Sequence, residues 1–330
     1  MHKENFNAKA VVEAGLISTL IVIIMMMTIY VPLFSMLGIF ILPIPVTVLY
    51  LRHNAKVTIA AVVVSAILIS MLYSPISALA SSILFGFTGV TLGYCIKNNK
   101  KVWFTLVMLA VVSVLATVID FSVYVTFIDK GGLMGFINQN IRMMKDSMTA
   151  ANEIYSKMGV PQAQLEQFNK SFELFTPEFV IQLIPTVLLL MAFTSAYINY
   201  YVTRSILKKL RYEIEPLPPF SSIYINNRIG TLILLFVIAG MILDRSNMSS
   251  GNYILVSSEL ILQMVLLTEG ASLVAHYLRN KFKLNKTFTL LIIFITVTSS
   301  YLALAYVCAG LMDMIFDFRK LDHFRRKKAQ

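Results

Sequence analysis

The chain has 330 residues, of which 57% are hydrophobic and 14% charged, with a formal net charge of +11. Soluble domains carry about 25% charged residues, so an ordinary soluble fold is excluded. The basic excess sits in short loops beside apolar runs and shows no basic groove interleaved with aromatics, which points to a membrane and away from nucleic acid.

Apolar runs of roughly 20 residues cross a bilayer, and lipid requires them to be helical. The pattern predicts an all-α, polytopic helical bundle of about eight or nine transmembrane helices. Span 1 runs from Lys9 to Tyr30; it is too long for a signal-peptide core, and no small-residue cleavage site follows it. After the reversal at Val31-Pro32, span 2 covers Leu33 to Leu51, with Pro43-Ile44-Pro45 expected to break or kink it. Span 3 is Val57 to Tyr73, span 4 Ile76 to Ile96 and span 5 Val102 to Ile128. A long polar interval, Lys130 to Pro177, separates these from span 6, Glu178 to Thr203. Beyond the breaker Pro216-Leu217-Pro218-Pro219 come span 7, Ile229 to Leu243, and span 8, Tyr253 to Leu278. Thr287 to Phe318 is either one long span or a hairpin bent near Thr298-Ser299-Ser300. Three regions follow: a six-span bundle over 1–204, a cytoplasmic loop over 205–228, and C-terminal helices with a basic tail over 229–330.

Lys and Arg set the orientation. With the N-terminus in the cytoplasm, fifteen basic residues lie in cytoplasmic segments, against Arg245 alone in the external loops and five in the polar interval. Lys130–Pro177 is then extracytoplasmic, and the protein is expected in a bacterial cytoplasmic membrane. The side on which Arg325-Arg326-Lys327-Lys328 lies depends on whether the last stretch bends.

The polar interval is itself patterned. Ile137, Ile141, Met144, Met148, Ala151, Tyr155 and Met158 recur at steps of four and three, a helical stripe that Gly159 ends. After Pro161, Leu165, Phe168, Phe172 and Phe175 form a second stripe. An amphipathic helical hairpin results. Either it lies on the membrane surface or the bundle, or it is a lid hinged at Gly131-Gly132, with Ile137, Ile141, Met144, Met148, Tyr155, Phe168 and Phe172 as its contact face.

Ionisable residues inside spans are costly and tend to be functional. Asp120, Gln182, Glu259, Gln263, Glu269 and His276 are candidates for a substrate or ion path; the alternative is that each is satisfied by a neighbouring helix. Glu13 lies near the start of span 1. Ala10, Ala14 and Ser18 recur every fourth residue, as do Gly89 and Gly93; such small residues mark close helix contacts, more often within a chain than with a partner. Asp313 and Asp317, one turn apart, are a weak cation pair or a solvated helix end. Phosphate loops, His-Glu-x-x-His and Gly-x-Ser-x-Gly are absent, and Cys95 and Cys308 form no metal-like spacing. No catalytic residue and no cofactor is expected.

Tyr30-Val31-Pro32, Pro43-Ile44-Pro45, Gly86 to Lys97, Glu269-Gly270 with His276, and Gly310-Leu311-Met312-Asp313 running to Asp317-Phe318-Arg319-Lys320 resemble the YybS-like predicted membrane proteins, a family that implies no activity. Spans 1–6 also resemble the substrate-binding S component of energy-coupling-factor (ECF) transporters, which has six helices with both ends cytoplasmic. That component docks its transmembrane partner through an Ala-x-x-x-Ala pattern on its first helix, matched here by Ala10-Val11-Val12-Glu13-Ala14. The resemblance implies a transporter-like protein binding a small molecule or lipid, with membrane lipids around it and an ATP-driven energising module, or an ion gradient, beside it. The rival is a scaffold or regulator holding cell-envelope proteins. A third reading, a membrane enzyme acting on a lipid carrier, would need Asp313 and Asp317 on a cation.

Overall fold

A computed structural model describes residues 8–127, 131–173, 175–246 and 248–321. Among the described residues every regular element is helical. Among the described residues seven helices are long and apolar enough to cross a membrane, and a bent pair makes an eighth if it is one span. The protein is a multi-pass helical membrane bundle, and its outward faces are correspondingly rich in exposed Leu, Ile, Val and Phe.

The chain divides into two units. Unit 1 comprises residues 1–177 and 187–217; unit 2 comprises 178–186 and 218–330. Unit 1 begins with α1 (Ala8–Tyr30), α2 (Pro32–Ile41) and α3 (Pro43–Arg52). The break between α2 and α3 falls where Pro43 cannot donate a backbone bond. Pro43 through Leu49 are all buried, so α3 is the centre of the unit. Then come α4 (Ala55–Leu72), capped by the Asn54 side chain, α5 (Pro75–Lys97), capped by Ser74, and α6 (Val102–Phe127). Glycines let α5 approach its neighbours: a β-carbon at Gly89 would overlap the Pro43 carbonyl and Val46, and one at Gly93 would overlap Tyr50. The Gly89/Gly93 pattern therefore packs helices within the chain. On the α1 stripe, Ala10 and Ser18 are buried and Ala14 is half-buried, and Ser18 Oγ donates to the Ala61 carbonyl of α4 at 3.0 Å.

The polar interval forms two helices, α7 (Gly132–Lys157) and α8 (Gln162–Glu173). Gly132 and Gly159 adopt φ of +68° and +83°, which glycine tolerates without strain. Phe136 meets Phe121 and Tyr124 of α6 edge-on, and Asn152 Nδ2 donates to Asn169 Oδ1 at 2.8 Å, joining α7 to α8. Of the expected contact face, Ile137 is buried and Ile141, Met144, Met148 and Phe172 are half-buried, while Tyr155 and Phe168 are exposed.

The long helix α9 (Pro177–Lys209) gives its first turns to unit 2 and the rest to unit 1. In unit 1, Ala192, Ala196 and Tyr200 share a cluster with Leu92, Leu106 and Leu109. Residues 205–217 go with unit 1 and 218–228 with unit 2. Tyr200 donates its hydroxyl to the Glu215 carbonyl at 2.8 Å and Glu215 accepts from the Val102 amide, holding residues up to Leu217 on unit 1.

Unit 2 continues with a 3-10 turn (Phe220–Ser222), α10 (Asn227–Arg245) and α11 (Ser249–Asn280). The last apolar stretch bends, as one of the two readings had it: α12 (Lys286–Thr298) and α13 (Ser300–Phe316) meet at 112° across Ser299. The basic run from Arg325, and Lys130, lie outside the described residues.

Candidate functional site

The most unusual chemistry of unit 2 starts at the end of α13. Asp317 caps that helix in the left-handed conformation, φ +50°, with its amide donating to the Asp313 carbonyl at 2.7 Å. Its carboxylate accepts the Leu321 amide at 2.8 Å. This turn reverses the chain and sends Arg319 back into the unit.

There the guanidinium is wholly enclosed. Nε donates to Asp313 Oδ2 at 2.8 Å, and Nη2 lies 2.7 Å from the same oxygen and 2.5 Å from Glu269 Oε1. Nη1 donates to the Ile223 carbonyl at 2.9 Å, Ser272 Oγ at 2.6 Å and, longer, the Ser221 carbonyl at 3.3 Å. Glu269 Oε2 accepts the Ile225 amide at 2.9 Å. The side chains of Arg319, Glu269 and Asp313 have 0% exposure. Arg319 thus ties three pieces together: α11 through Glu269 and Ser272, α13 through Asp313, and the strap 221–225 through its backbone. Ser272 Oγ also lies 2.8 and 2.7 Å from the carbonyls of Phe220 and Ile223.

Glycines make the enclosure possible. Gly270 follows Glu269, and a β-carbon there would overlap the Tyr306 carbonyl; one at Gly310 would overlap the Leu266 carbonyl. The α11–α13 crossing is therefore close enough for two short carboxylates to reach one guanidinium, whose rigid fork suits such a pairing.

The other sequence candidates scatter. Asp313 and Asp317 do not share a cation: Asp313 is taken by Arg319, and among the described residues no cluster of three His, Cys, Asp or Glu could hold a metal ion. Nor is this a solvated helix end, since both aspartates are buried. Glu259 and Gln263 are exposed, while Glu269 on the same helix is buried, so α11 carries no continuous polar line. His276 is half-buried and faces Asn280 on its own helix, not Glu269. The Gln182 carbonyl accepts Ser257 Oγ at 2.8 Å within unit 2. Asp120 is half-buried on α6 in unit 1. Sequence reasoning missed Arg319, Ser272 and the strap; the hint was an arginine two residues beyond Asp317 at the close of an apolar run.

In unit 1 a cavity of about 360 Å³ lies between α7 and residues 175–177. Asn138, Arg142 and Lys145 line one side, and Phe175, Thr176 and Pro177 the other.

The family described as "Predicted membrane protein (DUF2232)" matches residues 19–314, a span that includes Glu269 and Asp313. The chain is 21% identical over 314 residues to the uncharacterized protein YybS of Bacillus subtilis (strain 168), covering 94% of this chain and 97% of that protein. No solved structure matches it.

Proposed function

The chain belongs to the DUF2232 family of predicted membrane proteins, and from that premise we propose that it is a transporter-like substrate-binding protein of the bacterial cytoplasmic membrane, similar to an S component and without an ATPase of its own. The observation that carries this reading is the composition of unit 1. Its members α1, the broken α2–α3 stretch, α4, α5, α6 and the 187–217 part of α9 are six apolar segments, the span number of an S component. The α7–α8 hairpin is inserted between the fifth and the sixth. A substrate would enter from outside, and the cavity beside Arg142 and Lys145 supports entry beneath the hairpin. The charge count supports a cytoplasmic N-terminus. Energy would come from a separate ATP-driven module or an ion gradient.

Mass spectrometry of protein purified gently from the membrane tests this. The expected result is a small molecule released on denaturation, with an ATPase module captured by crosslinking or uptake that depends on an ion gradient. Protein that retains no small molecule, together with unchanged uptake in a deletion strain, overturns it. Crosslinks to envelope-synthesis proteins alone point instead to a scaffold.

A further inference from the structure

We propose that Glu269 and Asp313 form a proton-binding site: one proton, shared between the two carboxyl groups, completes the Arg319 cluster. The site stands on unit 2 alone, apart from any transport by unit 1.

Charge comes first. Two carboxyl groups face one guanidinium, all three at 0% exposure, which among the described residues leaves one negative charge uncompensated inside a membrane segment if both are ionised. Such a charge is neutralised or paired, because low-dielectric surroundings disfavour it strongly. Hydrogen bonding gives an independent reason. A guanidinium has five N–H groups. Here Nε serves Asp313 Oδ2, Nη2 serves Asp313 Oδ2 and Glu269 Oε1, and Nη1 serves the strap and Ser272. None is left for Asp313 Oδ1, which is buried and meets no donor among the described residues. Glu269 has both oxygens occupied, by Arg319 and the Ile225 amide. Glu269 Oε1 and Asp313 Oδ2 lie 2.5 and 2.7 Å from the same nitrogen, Arg319 Nη2, which sets the two carboxyl groups side by side.

A water would supply a donor and leave the charge. A metal ion would supply charge, and the donor set is too small for one. A proton does both: it removes the excess charge and provides the missing O–H. The other charged or titratable groups on the surrounding elements are already engaged or stand apart. His276 sits two turns along α11 and bonds Asn280; Asp317 holds the Leu321 amide; Tyr224, Arg228 and Lys320 have interactions of their own. Loss of the proton would set Glu269 and Asp313 against each other and loosen Arg319 from the strap, so proton exchange and strap release are linked.

Infrared difference spectroscopy in H₂O and D₂O on the full chain in detergent tests this. The background is the double variant Asp120→Asn, Glu259→Gln, which removes two membrane acids that are not part of the cluster. The expected result near neutral pH is a protonated-carboxyl C=O band that shifts on deuteration, is lost in Glu269→Gln and in Asp313→Asn on that background, and fades as pH rises while the Ile225 amide begins to exchange. Absence of the band in the background variant overturns the proposal whether or not the further substitutions fold. A band unchanged by both substitutions overturns it too, as does a melting temperature that follows Na⁺ and not pH.

Discussion

The interior of unit 1 is held by small residues and single hydroxyls, whereas that of unit 2 is centred on three ionisable side chains. In unit 1, Thr47 Oγ1 lies 2.9 Å from the Pro43 carbonyl and 3.0 Å from the Gly89 carbonyl, bridging α3 to α5 at a glycine contact. Its ion pair is peripheral: Glu13 lies 2.9 Å from His53 and 3.6 Å from an Arg52 side chain that is 51% exposed. In unit 2 the same charge types sit at 0% exposure. Lipid gives helices no hydrophobic reason to associate, so both units rely on packing and polar contacts, but on opposite kinds. Close packing tolerates small errors by shifting, while a buried ion cluster is all or nothing, because each partner removed strands the others.

The largest effect is expected at Arg319. Arg319→Met leaves the buried Glu269–Asp313 pair with no counter-charge, and removing one partner of a buried pair costs about 3–5 kcal/mol. Thermal melting in detergent is expected to show unit 2 unfolding well before unit 1. Melting indistinguishable from the parent would mean that the cluster does not hold α11, α13 and the strap together. Arg319→Lys sharpens the point. It keeps the charge but loses the fork that reaches the carbonyls of Ser221 and Ile223, so an intermediate loss is expected.

Next in size are the glycine contacts, which test whether the two units pack alike. A β-carbon at Gly310 meets the Leu266 carbonyl, and one at Gly89 meets the Pro43 carbonyl; backbone cannot rotate aside as a side chain can. Gly310→Ala and Gly89→Ala are each expected to cost about 1–3 kcal/mol by overpacking. If Gly310→Ala costs more, the difference reflects strain passed to Glu269 and Asp313, and combining it with Glu269→Gln would show non-additivity.

What the sequence revealed follows the same division. The glycine spacing of α5, the break at Pro43 and the helical periods of α7 and α8 are local patterns, and each element appears where the spacing puts it, although Tyr155 and Phe168 of the two stripes are exposed. The Arg319 cluster is not local. Arg319 and Glu269 are fifty residues apart in sequence, and Arg319-Lys320 after an apolar run reads as a solvated end. Only the left-handed turn at Asp317 reverses that. Helical spacing likewise shows that Glu259 and Gln263 share a face, but not that this face is exposed while Glu269 is buried. Which side of a span faces protein is set by its neighbours, and in a uniformly apolar helix the sequence carries little record of them.

The smaller effects complete the contrast. Thr47→Val removes a hydroxyl that bonds two carbonyls, and hydrogen bonds between membrane helices average about 0.6 kcal/mol, so a modest drop in unit 1 melting is expected. Glu13→Gln should do less still. Arg52 is half in solvent, and an exposed ion pair is weakened by side-chain freedom and by salt. The measurement is melting of parent and Glu13→Gln protein at low and high ionic strength. A small difference that vanishes in salt is expected. A salt-independent loss as large as that of Arg319→Met would mean that charge, and not only close packing, organises unit 1 as it does unit 2.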